Sequence, residues 1–228
     1  MAGTFSLILE TSTPHASLCT VNSCGNLEER KFTSDRSHNA ALFAPLKELL
    51  DSRANDLIEQ VLVGSGPGSY SGTRVGIAAA QGVAIALGCP ALTLPSILGV
   101  PSAESGARCL AIGDARRGSY WAAEVDQYAA CGEAQLTDIE GLMRVVSKSL
   151  ARGIPVFAFE PASRFPLPSE ITAALRLEFP SASRLWRAWS ESDPRERARW
   201  KQQTPQPIYL KPPHITPAKR LNFLPQPG

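Results

Sequence analysis

One stretch narrows the folds open to this chain more than any other. The apolar run Val61-Leu-Val63 passes directly into Gly64-Ser-Gly-Pro-Gly-Ser-Tyr-Ser-Gly72, and a helical pattern of small residues then runs from Ser71 or Thr73 to about Leu87. A strand, a glycine-rich turn and a helix in this order bring the helix back against its own sheet. The same order can present backbone N–H groups to an anion. Two phosphate fingerprints are missed, however. No Gly-Lys-Ser/Thr closes a P-loop, and Gly66-Pro-Gly68-Ser-Tyr-Ser-Gly72 has the wrong final spacing for a dinucleotide turn. Pro67 has no N–H to offer. The tight-turn reading is preferred over the anion cradle, and both stay open.

The helix that follows carries Gly72, Gly76 and Ala80 at four-residue intervals, with Ala79, Val83 and Leu87 beside them. One face is nearly free of side chain, so another backbone can approach it closely. Such a stripe serves either internal packing or a partner, and internal packing is the commoner use.

Around this unit the pattern is α/β. Phe5–Glu10, Ala16–Val21 and Leu27–Thr33 read as strands, the last two joined by the turn residues Asn22, Ser23, Gly25 and Asn26. A helix is expected from Arg36 to Leu50, bent at Pro45, and a short strand over Ala91–Leu94. A second unit begins near Ala107. It has strands over Cys109–Gly113 and Ser119–Val125 around Asp114-Ala-Arg-Arg-Gly118, a helix over Asp138–Leu150 and a strand over Pro155–Phe159. Beyond Pro161 the periodicity fades. The division expected is a first lobe over 1–105, a second over 106–215 and a proline-rich tail over 216–228.

Charge bears on partners. The 228 residues carry 23 Lys and Arg against 21 Asp and Glu, so bulk electrostatics do not argue for nucleic-acid binding. The balance is uneven, because Ser181–Gly228 holds nine basic and three acidic residues. There Arg184, Arg187, Arg195, Arg197, Arg199 and Lys201 interleave with Trp186, Trp189 and Trp200, a pattern that could stack bases. A solvated charged face is the more ordinary reading. Five scattered cysteines without a Cys-x-x-Cys pair suggest free thiols and a reducing, cytoplasmic setting. Met1–Ser6 lacks a basic n-region, and the charge-free stretch Val75–Ala103 is cut by Gly76, Gly82, Gly88, Pro90, Pro95 and Pro101, so neither a leader nor a membrane span is expected.

Catalytic constellations are thin. His15, His38 and His214 are isolated, and Gly68-Ser-Tyr-Ser-Gly72 centres on Tyr70 rather than on the serine of a nucleophile elbow. Glu10, at the end of the first strand, could hold magnesium beside a nucleotide or cap a turn; the cap is the commoner use.

Taken as one block, Val63-Gly-Ser-Gly-Pro-Gly-Ser-Tyr-Ser-Gly-Thr-Arg-Val-Gly-Ile77 followed by Ala80-Gln-Gly-Val-Ala84 resembles the signature of the TsaB family, the non-catalytic partners in bacterial tRNA threonylcarbamoyladenosine synthesis. Weaker matches follow in family order: Leu7-Ile-Leu-Glu-Thr-Ser12, Ser37-His-Asn39, Asp114-Ala-Arg-Arg-Gly118 with Tyr120 and Trp121, and Pro207-Ile-Tyr-Leu-Lys211. Together they cover about residues 5–215.

The resemblance implies an ASKHA (actin/hsp70/sugar-kinase-like) fold, two lobes with mixed sheets flanked by helices, in the cytoplasm. It implies a scaffold without catalytic residues, metal or cofactor of its own, with ATP or ADP a candidate only at a partner interface. The partners it implies are a TsaD-like catalytic subunit, a TsaE-like ATPase, a second copy when TsaD is missing, and tRNA indirectly. Carried over by position, the contact surface is His38, Leu42, Phe43, Gly72, Arg74, Gly76, Ala79, Ala80 and Val83. Two departures limit the transfer. Glu10-Thr-Ser-Thr-Pro14 lacks the glycine-containing phosphate loop of the wider superfamily, and Ser119 stands where family members usually carry glutamate. The alternative is a self-sufficient ATP-dependent small-molecule kinase of the same superfamily.

Overall fold

The computed structural model describes residues 3–33 and 38–210, the side chains of 38–40 excepted. The first sheet has the order β3-β2-β1-β4-β5, from β1 (Thr4–Glu10), β2 (His15–Asn22), β3 (Leu27–Thr33), β4 (Leu57–Gly64) and β5 (Ala91–Leu94). The first three strands are antiparallel, with Ile8 opposite Cys19, and β4 and β5 extend the sheet in parallel. The crossovers are α1 (His38–Asp51) and α2 (Tyr70–Leu87), and α1 runs on through Pro45.

The second sheet, β11-β10-β6-β7-β8, is built from β6 (Cys109–Asp114), β7 (Tyr120–Asp126), β8 (Ala129–Ala130), β10 (Val156–Ala158) and β11 (Arg176–Leu177), with β9 (Gln135–Thr137) also paired to β7. The helices of this half are α3 (Ile139–Ala151), α4 (Ser169–Thr172), α5 (Ala182–Glu191) and α6 (Pro194–Gln202). Asp138 caps α3 by accepting from Gly141 N at 2.8 Å.

Strand alternation divides the core into layers. Leu7 and Leu9 of β1 face α1 and α2, where they join Leu42, Leu46, Leu49, Ile77, Ala80 and Ala84. Ile8, between them in sequence, faces the other way, into a cluster shared by both sheets that includes Leu62, Leu94, Val125 and Phe157. A third layer packs α3, through Leu142 and Val146, on Leu110, Ile112 and Val156.

The chain does not stay in its second half. Helix α5 lies on β1, β2 and β4, and α6 on β5, so the last helices return to the first sheet. They bring Leu185, Trp189 and Trp200 into the shared cluster. The break between the two sheets falls between β5 and β6, near residue 105, while residues 182–202 pack across it. This corrects the base-stacking reading of the basic tail. Trp189 and Trp200 are buried against one another with ring centroids 6.0 Å apart. Most of the arginines are engaged too: Arg184 and Arg187 reach Glu104, Arg199 reaches Glu196, and Arg197 donates to the carbonyls of Trp189, Ser190 and Ser192 at the end of α5. Residues 211–228, with His214 and the tail expected over 216–228, lie outside the described residues.

Candidate functional site: the groove between the first two helices

The glycine-rich turn is built for close packing. Gly66 has φ +83°, in the left-handed region. A side chain at Gly68 would strike the Ser12 carbonyl, and one at Gly64 would strike the Glu10 carboxylate. Three N–H groups of the turn are held within the lobe: Ser65 N donates to Leu94 O at 2.8 Å, Gly66 N to Ser96 Oγ at 3.0 Å, and Ser69 N to Ser12 O at 2.6 Å. Ser69 then caps α2, accepting from Gly72 N at 3.2 Å. The tight-turn reading describes this loop, in which the amides of Ser65, Gly66, Ser69 and Gly72 all have partners within the lobe.

Glu10 is likewise a structural group. It is fully buried, and its Oε1 accepts from Ser12 N at 2.6 Å. Burial raises its pKa above the ordinary carboxylate range, against the lowering effect of the Ser12 hydrogen bond, and its Oε2 has no partner among the described residues. It closes the turn after β1, as the cap reading expects. His15 stacks on Phe179 with centroids 4.1 Å apart.

The small-residue helix has two bare faces. Gly72, Gly76 and Ala80 are buried against the lobe itself, which corrects the expectation that they form an outer contact surface. Thr11 is the reason. Its hydroxyl donates to Gly72 O at 2.8 Å, and a side chain at Gly76 would collide with the same oxygen. The end of β1 is the backbone that this stripe admits. Leu42 is also fully buried, in the layer beneath α1. The side chain of His38 lies outside the described residues.

The second face is turned outward. Val75, Ala79 and Val83 are partly covered, Ala78, Gly82 and Ala86 are exposed, and together they form one wall of a groove whose other wall is Phe43, Leu46, Lys47 and Leu50 of α1. The groove holds about 750 Å³. Of the residues carried over from the family, Phe43, Arg74, Ala79 and Val83 line it. Phe43, in its wall, is 55% exposed, and Ile85, on the same helix as the small-residue wall, is 83% exposed. Gly82 is the informative position, because a side chain added there would meet nothing within 4 Å. A glycine in mid-helix costs about 1 kcal/mol relative to alanine, and no contact with a described residue offsets that cost.

At one end the groove meets a second cavity of about 400 Å³, lined by Gly66–Tyr70, Arg74 and Pro207–Leu210. Residues 207–210 form a strap over the glycine-rich turn, anchored where Ile208 N donates to Ser65 O at 2.8 Å. Arg74 stands at the junction. Its guanidinium lies 4.1 Å from the centre of the Tyr70 ring and donates twice to Tyr209 Oη, at 3.0 and 2.7 Å. Tyr70 and Tyr209 drew no attention in the sequence as a pair, since 138 intervening residues separate them. Only the folded strap brings them to one arginine.

Comparison with known proteins now has a geometry to meet. Residues 31–155 match the TsaD family, described as tRNA N6-adenosine threonylcarbamoyltransferase. The chain is 29% identical over 123 residues to the Escherichia coli protein named tRNA threonylcarbamoyladenosine biosynthesis protein TsaB; that match covers 51% of this chain and 53% of the relative, about half of each. Two solved structures from Pseudomonas aeruginosa share the fold. One, titled as similar to peptidase YeaZ, superposes with a TM-score of 0.68 at 24% identity, and one titled YeaZ with 0.63 at 20%; each match covers 92% of this chain and all of the other. The expected ASKHA-type architecture, two mixed sheets flanked by helices, is the one observed.

Proposed function

Since the chain belongs to the TsaD family of tRNA N6-adenosine threonylcarbamoyltransferases, we propose that it works in the threonylcarbamoyladenosine modification of tRNA as a TsaB-like scaffold, docking a TsaD-like catalytic subunit on the groove between α1 and α2. The observation that carries this reading is Gly82, a helix-interior glycine facing open space in the middle of a wall of small residues. Side chains this small let two helices approach backbone to backbone, the geometry of a helix bundle formed across two chains. Phe43 and Ile85 supply the exposed apolar area that such a contact buries.

In this reading the chain contributes no reacting group. The partner transfers the threonylcarbamoyl group from its adenylate to N6 of the adenosine beside the anticodon, a TsaE-like ATPase acts on the assembly, and a second copy of this chain takes the groove when the catalytic subunit is missing. A nucleotide, where one takes part, sits at a partner interface. Two features support this division of labour: the loop after β1 is packed on the start of α2, and the amides of Ser65, Gly66 and Ser69 in the glycine-rich turn are bonded internally. A phosphate loop needs its amides free, and engagement of those of Ser65, Gly66 and Ser69 disfavours the kinase alternative. Reconstitution tests the proposal. The chain, its cognate TsaD-like and TsaE-like proteins, tRNA, ATP and preformed threonylcarbamoyl adenylate should yield modified adenosine, omission of any one protein should abolish it, and modification by this chain alone would overturn the scaffold reading.

A further inference from the structure

Away from the groove, a cleft in the second half of the described structure has a distinct chemistry. It lies between α3 and the outer edge of the second sheet, holds about 410 Å³, and is lined by Glu124, Cys131, Glu133, Gln135 and Thr137 on the sheet side. On the helix side stand Arg144, Lys148 and Arg152. These three are spaced four residues apart, a rise of about 6 Å from each to the next. That step is close to the distance between successive phosphates along a nucleic-acid strand.

All three are exposed, and none forms an ion pair with a described residue. In α5 and α6, by contrast, four arginines are bonded to carboxylates or to helix-terminal carbonyls. Two carboxylates face the row: Glu124 is engaged by Arg108, whose Nε donates to it at 2.5 Å, and Glu133 offsets at most one of the three positive charges. The Arg108 bond is the main cause of the lowered pKa of Glu124, and Lys148 and Arg152 add to the effect from further away. Cations near the end of a helix complement its dipole, which accounts for Lys148 and Arg152. Arg144, in the first half of α3, has no such role, and the dipole does not account for a cleft along the whole row.

We propose that the cleft beside α3 is a docking surface for the phosphate backbone of RNA, with Arg144, Lys148 and Arg152 each meeting a phosphate. Among the described residues no aromatic side chain lines it, so it reads shape and charge rather than bases. The choice of RNA as the polyanion rests on the tRNA-modification reading above; the site itself uses none of the groove residues. It makes the chain's contact with tRNA direct, through its second sheet.

The test is binding of cognate tRNA by the full chain, alone and with its TsaD-like partner, as a function of salt. The triple variant R144Q/K148Q/R152Q is compared with R195Q/R199Q/K201Q, which removes three cations from α6. The first should lower affinity roughly hundredfold at physiological salt and reduce the slope of log K against log salt by about 2 to 3. The second should leave both near the wild-type values, and partner binding should be unchanged in either. In a C24S background, tRNA should also slow alkylation of the exposed Cys131, which lines the cleft. Equal tRNA binding by wild type and the α3 variant, alone and in the complex, overturns the inference and leaves the groove reading standing. Loss of the partner rather than of tRNA would make the cleft a protein contact and overturn it as well.

Discussion

Gly76 and Gly82 lie on the same helix six residues apart, and the structure assigns opposite consequences to one added methyl group. At Gly82 the new Cβ meets nothing within 4 Å, so Gly82→Ala gains helix propensity without a clash. The gain is about 1 kcal/mol, which for a domain of this size raises Tm by roughly 2–4 °C. At Gly76 the same methyl strikes Thr11 Oγ1, and Thr11 cannot swing aside, because it is buried and its hydroxyl is bonded to Gly72 O. Overpacking costs about 1–3 kcal/mol, partly offset by the same gain in propensity. Gly76→Ala should therefore be destabilising by on the order of 1 kcal/mol. Urea denaturation of the two variants, followed by far-UV circular dichroism at constant m-value, reads both signs. A stabilised Gly76→Ala beside a destabilised Gly82→Ala would refute the assignment of inner and outer faces on α2, and with it the site of docking.

Other consequences follow from burial and charge. Glu160 has a pKa of about 7, raised by burial and then by the Asp114 charge. A carboxyl with a raised folded pKa binds more protons folded than unfolded, so its effect is a loss of stability as pH rises from about 4.5 to 7. Glu160→Gln should thus stabilise the chain by on the order of 2 kcal/mol at pH 8, discounted for partial exposure, and by nothing at pH 4; an equal effect at both pH values contradicts it. Cys24 and Cys131 are exposed, whereas Cys19 and Cys109 are buried and Cys109 has its pKa pushed up to about 12. Mass spectrometry after brief alkylation should find the first two modified and the last two protected until the chain unfolds. Trp200 is 1% exposed, and Trp200→Ala should cost about 3–5 kcal/mol in chemical denaturation, since it unpins α6 from the shared core.

The parts of this fold that could be read from sequence are those with one dominant period. Strands β1, β2, β4 and β5 showed as apolar runs with turn residues between them, and the glycine-rich turn marked the start of α2. The site was harder, for a physical reason. Small residues cover two faces of α2, Gly72-Gly76-Ala80 and Ala78/Ala79-Gly82/Val83-Ala86, and periodicity alone does not say which faces the sheet. The β1–α2 contact at Thr11 decides it, and that contact spans 61 residues. The C-terminal helices were missed for another reason. Six of the nine residues of α6, Pro194–Gln202, are charged or amide-bearing, and the helix is held by a single buried tryptophan, whose environment is supplied by Trp189 and the first sheet.

The central claim, that the outer face of α2 docks a catalytic partner, is tested most directly by sedimentation of the chain with its cognate TsaD-like protein, comparing wild type with Gly82→Arg. An arginine there has room in the free chain and blocks a helix arriving across the groove. Wild type should sediment as a heterodimer, and the variant, with an unchanged Tm or a higher one, should leave the two proteins apart, its affinity reduced at least thirtyfold, about 2 kcal/mol. A heterodimer of undiminished stability with arginine at position 82 would contradict the account.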